Sequence, residues 1–320
     1  MNLQIGRAFG IVMRTLPYVA YRALVYGILC AVIAFLLLVL AVIGRVFGGA
    51  AAAVLFVLAL AAGGFGVQLL REYVLYLLRA GHVAVITELI ERGSLPEGVR
   101  QTQWGREKVT AYFKEISVLA VVDQLVKGII RVLNRTLFRV MTILPLPGME
   151  GASKIAQRIV DLSLTYVDES ILAYTFKTEN ENVYEAARSG ILLYCQAWKD
   201  LLKNAVALTL LGYVFTIVCT LVFLVPFGAL AWVLPETWGV AKLVLFLLAL
   251  VLGFFMKWAL FDPIACTSTI LTFLKATEEL TPAPEWEARI EAVSDKFREL
   301  KLRAAGQPAE TAPVPEVIAP

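Results

Sequence analysis

The chain has 320 residues, 59% of them hydrophobic, with 29 basic against 26 acidic side chains. Soluble domains are typically about 45–50% apolar, so this excess requires an apolar solvent. The near balance of charge argues against a nucleic-acid binder, and a single histidine, His82, excludes His-rich metal sites and a Ser-His-Asp triad built elsewhere. Cys30, Cys195, Cys219 and Cys266 show no metal-site or redox spacing and read as small core residues.

Residues 1–22 carry Arg7, Arg14 and Arg22 and no acid, with apolar surface from Ile5, Phe9, Ile11, Val12 and Leu16. This pattern predicts a short interfacial helix leading into the membrane. Residues 23–43 hold no ionisable side chain other than Tyr26 and Cys30, both neutral at ordinary pH. The hydrocarbon core is about 30 Å thick and takes roughly 20 helical residues to cross, so this run is a first span. It is too long for the apolar part of a signal peptide, and the reading is of a retained span.

A second span is predicted over about 46–70. Gly49 and Ala53, Ala59 and Gly63, and Ala62 and Gly66 are each four residues apart, which lets helix backbones approach closely in lipid. With the first span it forms a hairpin over 23–70.

Residues 71–204 read as an amphipathic helical region. Its first part continues the second span until Gly93 and Pro96 stop it. Within a helix over about 105–142, Asp123, Lys127, Arg131, Arg135 and Arg139 recur every fourth residue, a slowly drifting charged stripe on an otherwise apolar helix. Lys127, Arg131, Arg135 and Arg139 are therefore candidate contacts for anionic lipid headgroups, or else the wet face of a helix bundle or an oligomeric vestibule. A Leu-Pro-Leu-Pro-Gly run at 144–148 breaks the helix. Another amphipathic helix follows over about 153–177. Asn182 and Glu185 then have the spacing of a capping box for a helix through 184–204.

A second hairpin and its extension cover 205–274. The third span, from 205 to about 234, is predicted to kink or end at Pro226. The fourth begins near 240 and carries Lys257, five residues before Asp262. A charge at membrane depth costs at least about 2.5–3.5 kcal/mol, so such a pair marks a solute path unless the charges escape. The blander reading ends the span near Trp258, with Lys257 snorkelling to the headgroups and Asp262 capping the next helix; it is the commoner behaviour.

Residues 275–306 form a linker and an amphipathic helix. Trp286, Ile290, Val293, Phe297 and Leu300 step by four and three, a seam too short for a coiled coil and suited to docking on the chain's own helices. The Pro/Ala-rich 307–320 reads as disordered. Arginine and lysine concentrate in the N-terminal segment, the middle region and the C-terminal tail. The positive-inside rule places these in the cytoplasm and the chain in the plasma (inner) membrane.

The segment 183–280 resembles the C-terminal part of choline transporter-like proteins, through Trp198, Leu201, Leu202 and Asn204 ahead of two spans and Asp262, Phe273, Leu274 and Glu278 after them. That family has many more spans, so the resemblance implies a reduced relative without the earlier helices, and no choline-binding residue is carried over.

The fold class expected is thus all-α: a polytopic helical membrane protein with four transmembrane helices plus amphipathic interfacial helices. Two functions follow. One is a homo-oligomeric channel or transporter for a small polar solute, with Lys257 and Asp262 on its path. The other is a non-transporting scaffold, lipid-binding or partner-docking protein. No catalytic signature, cofactor motif or metal-ligand set is present, so no enzyme activity and no cofactor are expected. The expected partners are membrane lipids, further copies of the chain and a cytoplasmic protein.

Overall fold

A computed structural model describes residues 4–47, 76–113, 116–141 and 166–306. These are helical, with no strand among the described residues. Three helices are long and apolar enough to cross a membrane, at Leu16–Leu36, Val183–Val233 and Ala241–Ala276. The predicted second span at 46–70, with its small-residue pairs, and the predicted helix at 153–165 lie outside the described residues.

The chain divides into two compact units. A span unit comprises Asn2–Gly105 and Ala207–Ser268, and an amphipathic unit comprises Arg106–Val206 and Thr269–Pro320. Residues 76–105, which the sequence assigns to the amphipathic region, belong with the spans. The reason is burial: residues 80–89 are closed off on every side, a pattern suited to a central helix.

In the span unit, α1 (Ile5–Arg14) buries Ala8, Ile11 and Val12 and leaves Phe9 and Met13 exposed, the two-sided character the sequence predicts. Thr15 separates it from α2 (Leu16–Phe47), its hydroxyl bonded back to the Val12 carbonyl at 3.1 Å. Pro17 sits in the first turn of α2, where its missing N–H costs nothing. A helix over 76–91, α3, follows. It passes close to the start of α4 (Gln101–Tyr112): a Cβ on Gly105 would lie 2.6 Å from the Gly81 carbonyl oxygen, so only glycine fits.

The helix α7 (Val183–Val233) continues through Pro226. The predicted stop there does not occur; a helix of such apolar length absorbs one lost bond. A short 3-10 turn, Glu236–Trp238, leads into α8 (Gly239–Met256). The hairpin closes tightly, since a Cβ on Gly253 would lie 3.0 Å from the Thr220 Cα. Helix α2 packs on α8, with the Tyr26 ring 5.5 Å from Phe255 and 5.6 Å from Trp258.

In the amphipathic unit, α5 (Ile116–Met141) buries Leu119, Val122, Val126 and Ile129, stepping by three and four along one face. It packs against α6 (Val167–Thr178). The first half of α7 starts at Asn182, whose side-chain oxygen accepts from the Glu185 N–H at 3.1 Å. The capping box stays half-made: Asn180, not Glu185, satisfies the Asn182 N–H, at 2.8 Å. Glu185 turns instead to Arg188.

The C-terminal seam is two helices rather than one. Ser294 is extended, ends α10 (Pro284–Val293) and caps α11 (Asp295–Ala304) through a 3.3 Å bond from the Phe297 N–H. The break turns Ile290, Phe297 and Leu300 inward, each 1% exposed or less, and leaves Val293 at 43%. Both helices dock on α5, where the Lys296 stem crosses Gly128. Asn182 also donates to the Ala304 carbonyl at 2.6 Å, tying the end of α11 to the start of α7. Docking on the chain's own helices is what the short seam predicts.

Candidate functional site

The helix does not break near Trp258. It passes through a π turn, Lys257–Phe261, into α9 (Asp262–Ala276). Pro263 explains the widening. Its ring has no N–H for the carbonyl four residues back and would collide with it in a regular α-helix. The extra residue in the turn brings Lys257 onto Asp262, with Nζ 2.8 Å from Oδ1 and both side chains under a quarter exposed. Lys257 thus has a carboxylate partner within the protein, which holds the two charges together in an otherwise apolar stretch.

Arg22, counted by sequence only among the N-terminal basic residues, lies in the same unit and is 7% exposed. It interacts electrostatically with Arg79, Asp262, Tyr26 and Cys266. His82, on α3, is 1% exposed and stacks on Tyr18 at 4.8 Å with the rings 5° from parallel. Its Nε2 shares a 2.9 Å hydrogen bond with the Thr15 hydroxyl. Burial first, and the Arg22 charge second, hold the His82 imidazole neutral, well below its ordinary pKa.

A signal for this cluster existed in the sequence: Thr15, Tyr18, Arg22 and Tyr26 step by three and four on one helical face. Asp262 thus pairs with Lys257 and also acts electrostatically on the buried Arg22, which feels Arg79 as well. Nothing in the set resembles a nucleophile with its base, or a metal cage; among the described residues no group of three metal-ligating side chains exists.

The predicted cationic stripe belongs to the other unit and is not uniform. Lys127 lies 2.7 Å from Asp123 and 3.3 Å from Asp168. Burial works to lower its pKa, but the Asp168 and Asp123 carboxylates outweigh it and keep the ammonium charged. Lys127 thus has two carboxylate partners within its unit while its side chain stays 43% exposed. Arg131 is exposed; the side chains of Arg135 and Arg139 lie outside the described residues.

Residues that carry the resemblance to choline transporter-like proteins do packing work. Leu201 and Phe273 are buried and line a small cavity with Ser170, Tyr194 and Thr269, large enough for about one water. On the same turn, Asn204 is 3% exposed and its amide makes no hydrogen bond among the described residues. A search of protein-family models, curated proteins and solved structures finds no match to the chain.

Proposed function

We propose that the protein is a non-transporting membrane protein, a helical anchor that presents a folded helical unit to the cytoplasm and contacts anionic lipid. The observation that carries this reading is where polar side chains lie. Among the described residues of the spans, charge is confined to the helix ends and to the Lys257–Asp262 turn, while the outward faces are apolar: Ile28, Val32 and Phe35 on α2, Ile217, Leu221 and Val225 on α7, Leu243 and Phe246 on α8. A path for a polar solute needs donors, acceptors or charge along its length. Several copies meeting through these faces would enclose leucine, valine and phenylalanine rather than water.

The same distribution suits an anchor. Lipid faces the apolar side chains; the exposed Arg7 and Arg14 just ahead of the first span suit an anionic headgroup layer, and the exposed Arg131 of the other unit is a further headgroup contact. On this reading both termini are cytoplasmic and the membrane is the plasma (inner) membrane. The packed α10–α11 pair supplies a helical surface for a cytoplasmic protein.

The experiment is hydrogen exchange on the full chain in nanodiscs. Replacing phosphatidylcholine by phosphatidylglycerol is expected to slow exchange around Arg7, Arg14 and Arg131, with salt reversing the effect. Exchange indifferent to lipid charge contradicts the reading.

The transport reading retains one favourable observation, the Lys257–Asp262 pair at 2.8 Å. Charged pairs within spans are used as gates or relays. In that case several copies share the path, the resemblance in 183–280 reflects common descent with transporters, and Lys257→Ala or Asp262→Ala alters flux.

A further inference from the structure

The uncharged part of α7, residues 205–233, is about 43 Å long at about 1.5 Å per residue. A hydrocarbon core is about 30 Å thick, so apolar length does not fix how deep this helix sits. Its aromatic side chains give a second measure. Trp232, one residue from the end of α7, is 89% exposed, and the exposed Tyr213 stands nineteen residues earlier, about 28 Å along the axis. The exposed Trp238, just ahead of α8, and the part-exposed Trp258, just after it, stand twenty residues apart, about 30 Å.

The two helices agree in level as well as in spacing. At one end the Tyr26 ring of α2 lies 5.6 Å from Trp258. A Cβ on Gly212, beside Tyr213, would lie 3.4 Å from the Lys257 Cε and 2.9 Å from the Phe261 ring. Tyr26, Tyr213 and Trp258 therefore share a level with Lys257. At the other end only the turn over 233–237 separates Trp232 from Trp238. Between the levels, 214–231 carries no charged side chain and 239–256 carries Lys242 alone. Cα–Cβ bonds tilt toward a helix N-terminus, so Lys242, in the first turn of α8, is directed to the Trp238 end.

Water disfavours an exposed indole ring, and hydrocarbon leaves its N–H unpaired; a headgroup layer suits both parts. We propose that two aromatic levels set the depth of the span unit in a phospholipid bilayer. Trp232 and Trp238 lie in one headgroup layer; Tyr26, Tyr213 and Trp258 lie in the other. The Lys257–Asp262 pair then sits at a headgroup level and not at mid-membrane, and 205–212 stands outside the hydrocarbon despite being uncharged. The proposal rests on the spans crossing a bilayer and is independent of whether the chain anchors or conducts.

The test uses the full chain in nanodiscs of monounsaturated phosphatidylcholine. Lipids brominated near the headgroup or near the chain end quench tryptophan emission by contact. Subtracting the spectra of Trp232→Phe and Trp238→Phe from wild type isolates those two indoles, and Tyr213→Trp minus wild type reports the other level. All three positions are exposed, so the fold loses no packing. Each indole is expected to lose most of its emission to the shallow bromines and little to the deep ones. The melting temperature of wild type is read in bilayers with hydrocarbon thinner than, close to and thicker than about 30 Å. Its maximum is expected at about 30 Å, not in the thickest bilayer, as the apolar length of α7 alone would require.

The proposal is overturned if any of the three indoles is quenched best by the deep bromines, or escapes both lipids while other tryptophans are quenched. Stability that keeps rising in thicker bilayers overturns it equally. In those cases the chain is still inserted and the anchor reading stands. Escape of every tryptophan from both lipids is a different result: it takes the chain out of the bilayer and removes the anchor together with the levels.

Discussion

Lys257 and Asp262 meet at 2.8 Å across a π turn, and Pro263 is the reason that turn exists. Removing one partner should leave a part-buried charge uncompensated. For fully buried pairs that costs about 3–5 kcal/mol; with some solvent access at this site, about 1–3 kcal/mol is expected for Lys257→Met or Asp262→Leu alone. The double variant should recover most of the loss. Thermal unfolding of the three variants in detergent closes the cycle, and strictly additive losses would show that the two side chains do not interact.

His82 makes stability depend on pH. Its folded-state pKa is lowered well below 6.5, so below that value the unfolded chain binds the proton and the folded chain does not. Stability is therefore flat above about pH 6.5 and falls as the pH drops further, by up to about 1.4 kcal/mol per pH unit until the folded imidazole titrates. Melting curves between pH 8 and 5 measure this, and His82→Gln should remove the part of the slope that belongs to this group.

The closeness of α7 to α8 at Gly253 leaves no room for a branched side chain. Gly253→Val should force the helices apart and cost about 1–3 kcal/mol, as overpacking does. A change at Gly239, whose Cβ would meet nothing within 4 Å, serves as control. Gly239→Ala should melt with the wild type.

Phe297 is fully buried where α11 meets α5, whereas Trp286 on α10 is part-exposed. Phe297→Ala should cost about 3–5 kcal/mol locally and free the C-terminal helices. Limited proteolysis should then cut the 284–304 segment quickly. Trp286→Ala should leave it resistant, and equal cutting in both would contradict the packing.

Much of the fold can be read from the residues. Long uncharged runs specify spans, and the three-and-four spacing of Leu119, Val122, Val126 and Ile129 specifies the buried face of α5. What local pattern does not carry is the competition between neighbours. Pro226 and Pro263 look alike in sequence, yet the first is absorbed by a helix and the second widens one into a π turn. Ser294 lies inside an unbroken heptad pattern and still splits it, because docking on α5 buries Phe297 and Leu300 better than one straight helix would.

The site was half legible. Lys257 and Asp262 stand out because charge is rare in apolar runs. Arg22 hides among other N-terminal arginines, since its burial is set by residues far apart in the chain. Lys127 shows the converse: a regular stripe suggests a free charge, and Asp168, forty-one residues on, answers it.

The most direct test of an anchor without a conduit is osmotic shrinkage of proteoliposomes, followed by light scattering after mixing with small polar and anionic solutes. The account predicts that solutes re-enter at the rate of protein-free vesicles. Re-entry accelerated by the wild-type chain and returned to the protein-free rate by Lys257→Ala or Asp262→Ala would contradict it.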